Sequence, residues 1–125
     1  MKIEPNDPPR VYEVGWGDPI QMKDCGRVHL QPDEQLTFMT EAGAEYDVAR
    51  KDWGFYATPS LNARLTNFGL RPVLVVNRID RYFVLLVEQG HEPEFEAYVA
   101  SEDLRITAWL DDPETLAKME AALAG

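Results

Sequence analysis

Two unbroken apolar runs, Val73–Val76 and Tyr82–Val87, stand five positions apart in the second half of this 125-residue chain. Neither is long enough to cross a bilayer, which takes about 20 apolar residues as a helix. A strand that is apolar at every position has no face to give to water, so it must be covered on both sides. The tetrapeptide Asn77-Arg78-Ile79-Asp80 between the runs suits a hairpin turn. The pattern therefore predicts an antiparallel pair covered on both faces.

The segments before this pair read differently. Gln35–Thr40, Glu45–Arg50 and Trp53–Thr58 alternate apolar with polar residues, as half-buried strands do. Val11–Trp16 is a further strand, closed by Gly15 and Gly17. Ile20–Lys23 and Arg27–Leu30 are short strands around a Cys25-Gly26 turn, and Pro32-Asp33 breaks the chain after them. Short strands at spacings near ten residues predict an all-β barrel or sandwich. Residues 1–10 hold three prolines and no apolar period, so they read as a flexible or extended arm ahead of a single domain over 11–125. Downstream, Glu92–Ala100 is a short helix with Phe95, Tyr98 and Val99 on one face, and Leu104–Leu110 is a strand. Asp112-Pro113-Glu114 starts a last helix: a capping carboxylate, a proline in the first turn, then an acid. Its apolar stripe is Leu116, Met119 and Leu123. That stripe has to cover apolar surface on this chain or on a second subunit, which leaves a homodimer open.

Charge removes some partners. With 22 acidic and 12 basic residues the formal charge is −10, which disfavours nucleic acid and anionic membrane surfaces. The N-terminus lacks the apolar core of a signal peptide, and the lone Cys25 cannot form an internal disulfide, so a cytoplasmic location is expected. Metal chemistry is not expected either. Only His29, His91 and Cys25 offer nitrogen or sulfur, and no HxH, HExxH or CxxC pattern occurs, so no cofactor is expected. On one strand, Cys25 and His29 would lie about 13 Å apart, too far for a nucleophile and its base. Gly15-Trp16-Gly17 is too weak to be a nucleotide signature, and no GxSxG elbow or phosphate loop is present.

The stretch WGFYATPSLNARLTNFGLRPVLVV, Trp53 to Val76, resembles the second motif of small cupins, with Gly54, Pro59 and Asn67 as its frame. Pro32-Asp33-Glu34-Gln35 is similar to the Pro-Gly-Glu step that often precedes the first motif. Where the family carries a metal histidine, this chain has Ala63 or Arg64, according to which frame residue is aligned. The resemblance, over roughly residues 27–88, implies a mainly β fold: a cupin-like or jelly-roll antiparallel β-barrel, with short C-terminal helices, that does not use metal. It implies a ligand site at the barrel mouth. There Glu45, Trp53, Asn62 and Arg64 would bind a small polar molecule, a carbohydrate or sugar-nucleotide being well suited to one ring, an amide, a carboxylate and a guanidinium. Metal-independent isomerases and epimerases of that kind suggest His29 as a general base, with Tyr46 or Tyr56 as the acid.

Each residue also has an ordinary reading. His29 can be a satisfied strand histidine, His91 solvent-facing, and Trp53, Phe55 and Tyr56 core. Asn62 and Asn67 can serve turn geometry. The basic enrichment Arg50, Lys51, Arg64, Arg71, Arg78 and Arg81 can be an anion site or charge balance. Three functions follow: a metal-independent binding domain for a small polar ligand, an isomerase or epimerase using His29 with a tyrosine, or a structural or regulatory protein whose apolar hairpin and last helix form an oligomer interface.

Overall fold

A computed structural model describes all 125 residues. The strands are β1 (Lys2–Val14), β2 (Ile20–His29), β3 (Gln35–Met39), β4 (Glu45–Lys51) and β5 (Gly54–Ala57). After them come helix α1 (Arg64–Asn67), strands β6 (Leu70–Val76) and β7 (Tyr82–Glu88), helix α2 (Glu92–Ser101), strand β8 (Arg105–Trp109) and helix α3 (Pro113–Ala124). The fold is mainly β, with short helices. Its strands form three antiparallel sheets, β1-β2, β3-β4-β5 and β7-β6-β8, and none of them closes into a barrel.

The β7-β6-β8 sheet organises the C-terminal half. β6 lies in its middle, and the register puts Val73 and Val75 on one face and Leu70, Pro72 and Leu74 on the other. The first face packs under α2: Val73, Val75 and Val87 meet Leu85, Phe95, Leu104 and Trp109, with Phe95 edge-on to Trp109 at 5.8 Å. The second face meets Ala44 and Leu65, with Tyr46 and Leu86 against them. So β6 is covered on both sides, as its apolar run requires. β7 is not. Tyr82, Phe83 and Val84 are 60%, 47% and 56% exposed, and no strand pairs with its outer edge. The β6–β7 turn is closed by Asn77, whose Oδ1 accepts from the N–H of Ile79 (3.1 Å) and of Arg81 (2.9 Å), while Asp80 takes a left-handed φ of 59°.

Residues 2–14 are extended, but they are paired rather than loose. Ile3 lies opposite Val28 and Val14 opposite Ile20, with an irregularity between Pro5 and Arg10 that takes up Pro8 and Pro9. A two-stranded hairpin alone is marginal in water. This one is fastened at both ends. At its open end the N-terminal ammonium lies 3.1 Å from the Glu34 carboxylate. At its tip, residues 15–18 dock on the end of α2. Gly17 approaches so closely there that a Cβ would collide with the Ser101 carbonyl and hydroxyl, and Gly15 takes a φ of 109°.

The small sheet shows the expected alternation. Glu45, Asp47 and Ala49 lie on one face and Tyr46 and Val48 on the other. Buried Asp47 accepts a 2.6 Å bond from the Thr37 hydroxyl. Arg64–Asn67 is one helical turn, where the Ser60 hydroxyl accepts from the Arg64 N–H (2.9 Å) and Leu65 is wholly buried. α3 begins as expected: the Asp112 carboxylate accepts from the Glu114 N–H (3.1 Å) and Pro113 is in the first turn. It buries none of its residues, and Leu123 is 86% exposed.

Candidate functional site

The residues expected to form one ligand site are distributed over separate elements. His29 ends β2, opposite Lys2, with its Nε2 3.2 Å from the Glu4 carboxylate on the outside of the hairpin. Tyr46 faces the core cluster around Leu65, and burial raises its phenol above the ordinary value. Tyr56 pairs with Ala49, so it lies on the Glu45–Asp47 face, opposite to Tyr46. Glu45 sits at the start of β4, its N–H donating to the Phe68 carbonyl at 3.0 Å. Trp53 is in the β4–β5 turn and 71% exposed. Asn62 is exposed in the loop before α1, and Arg64 lies 5.4 Å over the Phe68 ring. None of these seven residues lines any of the molecule's four cavities.

The basic enrichment also disperses. Lys51 reaches Asp33, Arg71 reaches Asp111 at 2.8 Å and stacks 4.1 Å over Trp109, and Arg78 lies 4.3 Å over Trp16. These cations serve separate local contacts and do not converge on one anion site. No group of three or more His, Cys, Asp or Glu side chains is arranged to hold a metal.

Two other features stand out. The first is a cavity of about 230 Å³ where the hairpin tip meets the β7-β6-β8 sheet and α2. Val14, Trp16, Val75, Phe83, Leu85, Tyr98 and Leu104 give it apolar and aromatic walls, and Asn77 and Glu102 contribute polar groups. Glu102 is only 4% exposed. Its Oε2 accepts from the N–H of Trp16 (2.6 Å) and of Gly17 (2.8 Å), across 86 and 85 positions of sequence. Such charge-assisted bonds are short and strong. Ser101 adds to the latch, its hydroxyl accepting from the Asp18 N–H at 3.3 Å. Sequence reasoning passed over this site. The local signal is Gly15-Trp16-Gly17, whose glycines close a strand and allow backbone to approach backbone.

The second feature is the surface itself. The chain exposes 8908 Å². A compact monomer of 14.2 kDa exposes roughly 6,800 Å², so the excess is about 2,100 Å². Large apolar side chains contribute throughout. Phe38 and Phe55 share a face of the small sheet with Tyr46 and Val48, and are 57% and 64% exposed. Tyr82, Phe83 and Val84 form the open end of β7, and Met119 and Leu123 lie along α3. No family model matches the chain, and no curated protein or solved structure matches it.

Proposed function

We propose that the chain is an interaction subunit that works as a homodimer, joined through the outer edge of β7. The observation that carries this reading is the surface excess of about 2,100 Å² over a compact monomer. If each copy buries about half of it, the interface totals roughly 2,000 Å², where obligate homodimer interfaces begin. The β7 edge supports the site of contact. An unpaired apolar edge strand is a template for strand addition, and natural sheets usually blunt it with charge, proline or a bulge. From Tyr82 to Val87 this strand carries none of those. Antiparallel pairing of β7 with its copy across a two-fold axis would join two three-stranded sheets into one of six. The exposed stripe of α3 and the Phe38–Phe55 face are the further surfaces that such an assembly would cover.

Sedimentation equilibrium tests this directly. The expected result is a species of twice 14.2 kDa at micromolar concentration, dissociating on dilution. Val84→Lys puts a charge on the exposed part of β7, with little effect on the monomer's own core, and should give a monomer with unchanged far-UV circular dichroism. A wild-type monomer at every concentration refutes the proposal, and so does a dimer that Val84→Lys leaves intact.

A further inference from the structure

We propose that the cavity beneath the hairpin tip is a binding site for a small primary alkylammonium ion. Its volume of about 230 Å³ equals roughly eight waters at their liquid volume, so it suits a ligand of few heavy atoms. Glu102 is the only charged residue among those that line it. That carboxylate is 4% exposed, and both of its protein hydrogen bonds fall on Oε2. Oε1 accepts none from the protein, although a carboxylate oxygen has lone pairs for two donors. A buried anionic acceptor with unused capacity favours a cationic donor and disfavours an anion.

The walls favour the same ligand. Trp16, Phe83 and Tyr98 put three aromatic rings among the lining residues, and ring faces attract ammonium groups. The Arg78 guanidinium already lies 4.3 Å over the Trp16 ring, which leaves Phe83 and Tyr98 as the lining rings with no cation over them. Leu104 and its aliphatic neighbours offer an apolar floor for an alkyl chain. The other polar side-chain groups of the lining, the Asn77 amide, the Tyr98 hydroxyl and the Trp16 indole N–H, are uncharged, and Asn77 Oδ1 is taken by the turn that it closes, so none of them neutralises Glu102.

The test is a titration of the ¹⁵N-labelled full chain with n-butylammonium, with n-butanol and butyrate as matched neutral and anionic probes. The expected result is saturable movement of the Gly15, Trp16 and Gly17 amide signals with butylammonium, much weaker movement with butanol and none with butyrate. Glu102→Gln keeps an oxygen for the two tip N–H groups but removes the charge, and should weaken binding about tenfold or more. Tyr98→Leu removes a ring from the wall without touching the latch, and should weaken it severalfold. Equal response to butanol, affinity unchanged in both variants, or no movement at the tip overturns the proposal. Sedimentation is read separately: a monomer that still binds butylammonium removes the dimer and keeps the site, and a dimer that ignores it does the reverse.

Discussion

Replacing Glu102 with alanine should release the hairpin from the rest of the molecule while leaving the C-terminal sheet folded. The carboxylate receives two bonds, 2.6 Å from the Trp16 N–H and 2.8 Å from the Gly17 N–H, and is nearly out of contact with solvent. Hydrogen bonds to charged groups contribute about 1.5–3 kcal/mol each. Water can reach the freed amides at an exposed tip, so the lower figure applies to each, and the pair contributes about 3 kcal/mol. That is roughly a hundredfold in the opening equilibrium of β1 and β2. Native-state hydrogen exchange reads it: the amides of β1 and β2 that bond across the hairpin should exchange about a hundredfold faster, while Val73, Val75 and Val87 hold their rates. Glu34→Gln, at the open end, is the control. The Glu34 side chain is 38% exposed against the N-terminal ammonium, and ion pairs so open to solvent contribute little. Unchanged protection in the Glu102→Ala hairpin would refute the latch. An equal loss in both sheets would show that Glu102 supports the corner between α2 and β8 instead.

Leu65→Ala should be the most damaging single truncation in the middle of the chain. The residue is wholly buried, between Ala44 and Leu70, on a helix of four residues that has little stability of its own. A loss of roughly 2–5 kcal/mol in urea unfolding is expected, and a loss under 1 kcal/mol would mean that α1 does not anchor the two larger sheets. Acid should act first on the hairpin. Glu4 is held below the ordinary carboxylate range first by its bond with His29, Asp24 by its bond with Arg10, and Glu34 by the Gln31 N–H. Carboxylates with lowered values stabilise the fold while ionised, so their contribution is fully present above the ordinary range and is lost as pH falls below it through the lowered values. Amide protection in β1 and β2 should therefore drop below about pH 4, before that of the C-terminal sheet, and simultaneous loss would contradict the assignment.

The sequence made some of this legible and hid the rest for physical reasons. Continuous apolar character correctly marked β6 as covered on both faces, but the same character misread the first half of β7. A strand buried on both sides and an apolar edge strand with its side chains open have the same pattern, because periodicity reports residue type and not what covers it. The prolines of residues 1–10 pointed away from pairing. In the fold Pro5 still takes a register position opposite Gly26, and Pro8 and Pro9 sit in the irregularity, where a missing N–H breaks no ladder bond. Asp112-Pro113 was fully readable, since a helix cap is made by neighbours in sequence.

The candidate site was the least readable part, and Glu102 shows why. It is one of 22 acidic residues, and nothing within ten positions separates it from the others. Its role is created by backbone N–H groups 85 and 86 positions away. Backbone donors carry no sequence signal, so the partner half of that contact cannot be found by searching for residue types. What can be found is the permission for it: Gly15 and Gly17 flank an indole where a side chain at position 17 would strike the Ser101 carbonyl. Two glycines around one aromatic in a strand-closing turn therefore predict a close backbone docking, with the ring at its border. Here that docking brings the Glu102 carboxylate onto the Trp16 and Gly17 N–H groups, and Trp16 and Glu102 line the same cavity.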